Sequence, residues 1–220
     1  MDINRFIDHT LLKSDATESA VATLCDEARE FSFHSVMINP VFVRLASEKL
    51  AGADVKVGAV AGFPLGANVT DIKIAEAARA EQDGAAEIDV VANIGWIMAG
   101  EFDRVTDELG KIKEKLSRQT ALKVIIEMPL IPQDLWQKAV EAVILSGAGF
   151  VKSGTGFFGP VTPNQIKHLA AFSNGRIQVK AAGGIKTAAE ALGLIEAGAS
   201  RIGSSASVAI MREYLASLKK

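Results

Sequence analysis

Cysteine is nearly absent: Cys25 stands alone, so no intrachain disulfide can form, which suits a reducing compartment. Long apolar runs are absent too. The start, Met1-Asp2-Ile3-Asn4-Arg5-Phe6, has no uninterrupted stretch of the signal-peptide kind, and nothing approaches the roughly 20 apolar residues of a membrane span, so a cytoplasmic location is expected. Neither sign of charge is in excess. The 24 Lys and Arg against 26 Asp and Glu leave a formal charge of −2, which removes any global attraction to nucleic acid or anionic membrane. Any anion site must be local. No Pro/Ser-rich stretch or charge run marks a linker within the 220 residues, so a single compact domain over 1–220 is expected. His9, His34 and His168 lack the paired spacing of a zinc site, and no metal or cofactor is expected. Ser204, Ser205 and Ser207 have no nucleophile-elbow context, and Trp96 and Trp136 come without the basic stripe of a base-stacking platform.

What the chain does have is a lysine at the end of two apolar runs, each followed by glycine: Lys152 in Gly149-Phe150-Val151-Lys152-Ser153-Gly154-Thr155-Gly156 and Lys180 in Ile177-Gln178-Val179-Lys180-Ala181-Ala182-Gly183-Gly184. An ammonium among β-branched and aromatic neighbours is costly to desolvate, and a glycine turn before a helix suits an anion. Amine chemistry on a phosphorylated carbonyl compound is the leading idea.

Eight β-rich runs recur along the chain, at 6–10, 35–39, 55–61, 86–92, 122–128, 150–153, 177–181 and 201–203. Between them lie helical patterns such as 14–31, 69–83, 132–146 and 187–197, whose apolar residues recur at three and four. Ser14 or Asp15 is a candidate cap for the first helix, Thr162-Pro163 caps another, and Thr187 with Glu190 forms a capping box. Gly84, Gly147 and Gly198 mark helix ends. Alternation of this kind leaves a closed (β/α)8 barrel or an open doubly wound sheet. The strand count favours the TIM barrel, as do glycine turns that follow the last three strands rather than the first; Gly-Ala-Val-Ala-Gly at 58–62 lacks the third glycine of a dinucleotide fingerprint.

In such a barrel the functional groups sit at the C-terminal ends of strands. Asp8, Asp89, Glu127, Lys152 and Lys180 fall late in their runs, and the first two with the two lysines are expected to share one mouth. Lys56, Glu87 and Lys123 fall early and are assigned to stability or solvation. Gly183, Gly184, Gly203, Ser204 and Ser205 precede two helices and form the candidate phosphate site, with Thr155, Gly156 and Lys186 beside them.

The ordered segments Ile7-Asp8-His9-Thr10-Leu11-Leu12-Lys13, Gly62-Phe63-Pro64-Leu65-Gly66, Glu87-Ile88-Asp89-Val90-Val91, Lys123-Val124-Ile125-Ile126-Glu127, Phe150-Val151-Lys152, Lys180-Ala181-Ala182-Gly183-Gly184-Ile185 and Arg201-Ile202-Gly203 resemble the motifs of the deoxyribose-phosphate aldolase family. The resemblance spans nearly the whole chain. It implies reversible cleavage of 2-deoxy-D-ribose 5-phosphate to acetaldehyde and D-glyceraldehyde 3-phosphate, with Lys152 as Schiff-base former and Asp89 and Lys180 as its proton-transfer partners. The partners implied are small phosphosugars and aldehydes, with a homodimer or higher homo-oligomer left open. Departures exist. Ser153-Gly154 replaces the family's usual Thr-Ser, Met128 stands where Thr is common, Ala206 replaces a serine in the last turn, and the sequence closes without the terminal tyrosine of some relatives. Two rival readings stand beside this one: a lysine-dependent aldolase or transaldolase-like enzyme for another phosphosugar, and a phosphosugar isomerase or binding barrel in which the lysines only pair with anions.

Overall fold

The computed structural model describes residues 2–218; Met1, Lys219 and Lys220 lie outside them. Eight parallel strands close in sequence order: β1 (Ile7–Leu11), β2 (Ser35–Ile38), β3 (Lys56–Ala61), β4 (Glu87–Val91), β5 (Ala121–Ile125), β6 (Phe150–Lys152), β7 (Gln178–Ala182) and β8 (Arg201–Ser204). Closure is the β1–β8 pairing, with Asp8 in register with Gly203 on one side and Ser35 on the other. Around the barrel run α1 (Glu18–Glu30), α2 (Val43–Lys49), α3 (Thr70–Gln82), α4 (Ile94–Met98), α5 (Phe102–Lys115), α6 (Gln133–Leu145), α7 (Pro163–Ser173), α8 (Ala188–Glu196) and α9 (Ser207–Ser217). None of the described helices is long and apolar enough to cross a membrane.

Each strand has two buried faces, and the period of two sorts its residues between them. Outward residues such as Val36, Ile88, Val124, Val151, Val179 and Ile202 join the main hydrophobic cluster. That cluster includes one stripe of each helix: α1 contributes Val21, Leu24, Cys25 and Ala28, the three-and-four spacing of an amphipathic helix. Inward residues are of another kind. Asp8, Glu87, Asp89, Lys123, Lys152, Lys180 and Arg201 are all buried, in a space that barrels usually fill with branched apolar side chains.

Helix ends follow the sequence signals in most places. Thr162 and Thr187 each make a complete capping box, and Gly84, Gly147 and Gly198 have φ of +113°, +77° and +112°. Several boundaries differ. Helix α1 starts at Glu18, where Thr17 accepts from the Ala20 N–H at 3.2 Å, so neither Ser14 nor Asp15 is its cap. The first strand follows a 3-10 turn over Ile3–Phe6 and runs on to Leu11. The fifth strand stops at Ile125 rather than 128, because Glu127 turns the chain at φ +53°.

Candidate active site

Asp89 is the hub of the barrel interior. Its Oδ2 accepts from Lys152 Nζ at 2.8 Å and from Lys180 Nζ at 2.7 Å, while Oδ1 accepts from Lys123 Nζ at 3.0 Å. Strand register produces this convergence: β4 sets Asp89 beside Lys123, and β6 sets Lys152 beside Lys180. Further contacts extend the network. Lys180 Nζ lies 2.5 Å from Asp8 Oδ2, Lys123 Nζ lies 2.6 Å from Glu87 Oε2, and Arg201 reaches both Asp8 at 2.8 Å and Glu87 at 3.1 Å. The Ser35 hydroxyl donates to Asp8 Oδ1 at 2.7 Å.

Charge and burial compete at every member. Burial favours the neutral acid of Asp89, but Lys123, Lys152 and Lys180 outweigh it and hold the carboxyl well below the ordinary range. Burial likewise disfavours the Lys123 ammonium, and there Asp89, Glu87 and Asp8 win and push its pKa up. Lys152 goes the other way. Burial lowers its pKa, the ammonium groups of Lys180 and Lys123 lower it further, and Asp89 opposes them without prevailing, so that it falls to about 8. Of these amines, Lys152 also opens onto a pocket.

That pocket, of about 220 Å³, lies at the C-terminal mouth. Its wall brings together Lys152, Thr155, Gly156, Gly183, Gly184, Gly203, Ser204 and Ser205, all expected from the sequence, with Lys186 beside them. Thr10, Leu11, Leu12 and Lys13 from the end of β1 complete it. The glycines have specific work. Gly156 packs on Gly183, where an added Cβ would stand 3.3 Å from the Gly183 Cα. Gly184 has φ +72°, and a Cβ there would meet Pro160 at 2.8 Å, so this glycine is required by the loop lying against it as well as by its backbone conformation.

Not every expected role fits the geometry. Of the four groups expected at one mouth only Lys152 lines the pocket: Asp89 and Lys180 are fully buried beneath it, and Asp8, equally buried, is bound to Ser35, Lys180 and Arg201 and supports Lys180. The Ser204 hydroxyl donates to Ile185 O at 2.7 Å and accepts from the Ala206 N–H at 2.9 Å, so of the two serines lining the pocket it is exposed Ser205 whose hydroxyl is not engaged in this way. At the start of α8 the N–H groups of Lys186 and Thr187 donate to Glu190 and that of Ala188 to Glu213, so carboxylates of the chain already occupy this helix end. An anion would meet the Gly183-Gly184 turn instead. Replacement of the usual Thr by Ser153 leaves the loop tied, since its hydroxyl both donates to Ala182 O and accepts from the Ala182 N–H at 3.1 Å.

Position along a strand misplaces Lys123 and Glu87, which belong to the network together with Arg201, a residue to which the sequence assigned no role. Lys123 is fully buried and touches Asp89 directly, so its early place in its run does not mean solvation. Parity is the usable signal. Glu87 and Asp89 are two residues apart and face the same way, and Lys123 is the register partner of Asp89.

A family model for DeoC/LacD family aldolases matches residues 4–213. Deoxyribose-phosphate aldolase from Enterococcus faecalis is 45% identical over 212 residues, covering 96% of each chain. The enzyme of that name from Deinococcus radiodurans is 44% identical over 212 residues with the same coverage. Among solved structures, the aldolase QR15 superimposes with a TM-score of 0.95 at 37% identity, covering 100% of this chain and 98% of that one. The deoxyribose phosphate aldolase from Aeropyrum pernix, described as a unique tetramer, gives a TM-score of 0.90 at 31% identity, covering 97% and 91%. An inward lysine at a pocket floor, a barrel that superimposes on theirs and matching sequence over nearly the whole length lead to one conclusion: the chain belongs to the DeoC/LacD aldolase family.

Proposed function

We propose that the protein cleaves 2-deoxy-D-ribose 5-phosphate reversibly to acetaldehyde and D-glyceraldehyde 3-phosphate through a Schiff base on Lys152. The observation that carries the reading is the buried Lys152 amine at the pocket floor, sharing one Asp89 oxygen with Lys180, its pKa lowered by burial to about 8. An ordinary lysine is about 0.1% neutral or less at pH 7, whereas a pKa of about 8 leaves about a tenth of the amine able to attack.

The neutral amine adds to the aldehyde carbon of the open-chain sugar, and loss of water gives an iminium. A base removes the proton of the C3 hydroxyl, the C2–C3 bond breaks, and its electron pair moves into the iminium to give a neutral enamine. Glyceraldehyde 3-phosphate leaves. Protonation of the enamine carbon regenerates an iminium, and water releases acetaldehyde and the free amine. Asp89 and Lys180 are the groups assigned to these proton transfers, since both sit at hydrogen-bond distance within the cluster that holds Lys152. The phosphate is assigned to the Gly183-Gly184 turn, Gly203, Ser205, Thr155, Gly156 and Lys186 on the pocket wall.

The test is reductive trapping. Incubation with acetaldehyde or deoxyribose 5-phosphate in the presence of borohydride should leave a stable adduct on Lys152, identified by peptide mass spectrometry. An adduct confined to a different lysine, or none in active protein, would overturn the assignment.

A further inference from the structure

Glu127 is a buried carboxyl that the mechanism above does not use. It lies just past β5 with φ +53°, a conformation that a residue with a long side chain adopts at a cost and that tends to mark functional sites. Among the described residues no cation lies within ion-pair distance of it. Its two oxygens instead accept from the backbone N–H of Thr155, at 3.2 and 3.0 Å. Burial pushes its pKa up, against the pull of the Thr155 side chain, the Thr155 N–H and the Lys152 ammonium. A strained, buried and unpaired carboxyl is expensive to keep. Here it ties the end of β5 to the loop that follows Lys152, beside a second tie from the Met128 N–H to Ser153 O at 2.8 Å.

Gly154 belongs to the same arrangement. A Cβ built there would stand 2.7 Å from Glu127 Oε1, closer than such contacts are found, although the Gly154 backbone itself is not in a glycine-only region. The missing side chain at 154 is what gives the Glu127 carboxyl its place.

We propose that Glu127 is a positioning residue, seated in the space left by Gly154, which fixes the Thr155 N–H and thereby holds Thr155 and Gly156 against the phosphorylated end of the substrate. The proposal rests on the phosphosugar reading of the pocket. Thr155 suits such a role. Its backbone N–H and its side chain are both held by Glu127, and its Oγ1 also accepts from the Phe157 N–H at 3.1 Å, so the residue is fixed at more than one point.

The experiment compares wild type with Glu127→Ala, Glu127→Gln, Gly154→Ala and the Glu127→Ala/Gly154→Ala double variant. Each is assayed for kcat and KM on deoxyribose 5-phosphate and on unphosphorylated deoxyribose, and for borohydride trapping with acetaldehyde. Loss of a charge-assisted hydrogen bond corresponds to about tenfold or more. Glu127→Ala should therefore lower kcat/KM for the phosphorylated sugar by about tenfold, chiefly through KM, while the free sugar and acetaldehyde trapping change by less than about threefold. Glu127→Gln keeps an acceptor oxygen and should restore most of the loss. Gly154→Ala should resemble Glu127→Ala, and the double variant should be no worse than either, because both changes remove one arrangement. Equal losses on both sugars, a Gln variant as impaired as Ala, or additive losses in the double variant would each overturn the proposal; should Glu127→Ala not fold, the Gln and Gly154 variants still decide it. Failure of wild type to trap at Lys152 would instead count against the Schiff-base reading.

Discussion

Replacing Lys180 with Leu should move the titration of Lys152 upward. Both ammonium groups contact Asp89 Oδ2, at 2.8 and 2.7 Å, so their nitrogens can be no farther apart than those two distances end to end. At about 5 Å and an effective dielectric of about 20, two like charges repel by about 3 kcal/mol, or about 2 pKa units. Leucine fills most of the vacated volume and limits the entry of water that would screen the change. The carboxylates stay paired, Asp89 with Lys123 and Lys152, Asp8 with Arg201 and Ser35, and their less compensated charge pushes Lys152 the same way. From about 8, the Lys152 pKa should then approach the value of a free lysine. Near neutral pH the reactive amine should fall by at least about tenfold and by as much as about a hundredfold. Trapping rates with acetaldehyde and borohydride, measured across pH, give the cleanest readout. Lys180 is also assigned a proton-transfer role, so a lower rate alone is ambiguous, whereas the midpoint of the profile reports the amine. A folded Lys180→Leu protein whose midpoint stays near 8 would refute the charge argument.

The same depressed pKa carries a stability cost. Lys152 has a folded pKa of about 8 against an ordinary value of 10.5, so folding disfavours its protonated form fully below about pH 8, and the penalty disappears as pH rises towards 10.5. Lys152→Met should accordingly stabilise the protein at pH 7 by up to about 3 kcal/mol, with the gain shrinking above pH 8; denaturant unfolding at pH 7 and pH 10 checks it, and a gain equal at both would contradict the account. Ser205→Asp places a carboxylate on the exposed pocket wall and should lower the ratio of kcat/KM for phosphorylated over free deoxyribose by at least about tenfold, an unchanged ratio placing the phosphate elsewhere.

Local patterns carried much of the architecture. Alternating apolar runs and three-and-four stripes, with Thr162, Thr187, Gly84, Gly147 and Gly198 at helix ends, are signals written within a few residues. The eight-strand barrel followed from counting them. Lys152 ends its strand as its place in the sequence suggests, whereas Asp89 and Lys180 stand at the middle of theirs, and their inward direction rather than their lateness joins them to it. Lys123 was not legible. Position along its own strand suggested a solvated start, but its partner, Asp89, lies 34 residues away, and only the β4–β5 register brings them together. Arg201 and Asp8 are 193 residues apart, and barrel closure creates their contact. Gly184 illustrates the same limit at a loop: its glycine is legible, whereas the Pro160 ring that forbids a side chain there belongs to the preceding loop. The carboxylates that cap α8 also divide into two kinds, Glu190 from its own first turn and Glu213 from another helix, and only the first could be read locally.

Why Lys152 rather than Lys123 should give up its proton follows from the arrangement of partners. Lys123 meets two carboxylates, Asp89 and Glu87; Lys180 meets Asp8 and Asp89; Arg201 meets Asp8 and Glu87. Lys152 meets Asp89 alone. Within the barrel, then, Asp8, Glu87 and Asp89 face Lys123, Lys152, Lys180 and Arg201, one cation more than the carboxylates can neutralise. Arginine keeps its proton under all ordinary conditions, and an amine held by two carboxylates loses more attraction on deprotonation than one held by a single carboxylate. The excess proton therefore leaves from Lys152, the cation with fewest partners and the one facing the pocket, and its loss brings the interior to charge balance. A nucleophile of this kind does not depend on an adjacent general base. It depends on four strands delivering one positive charge too many to a buried site.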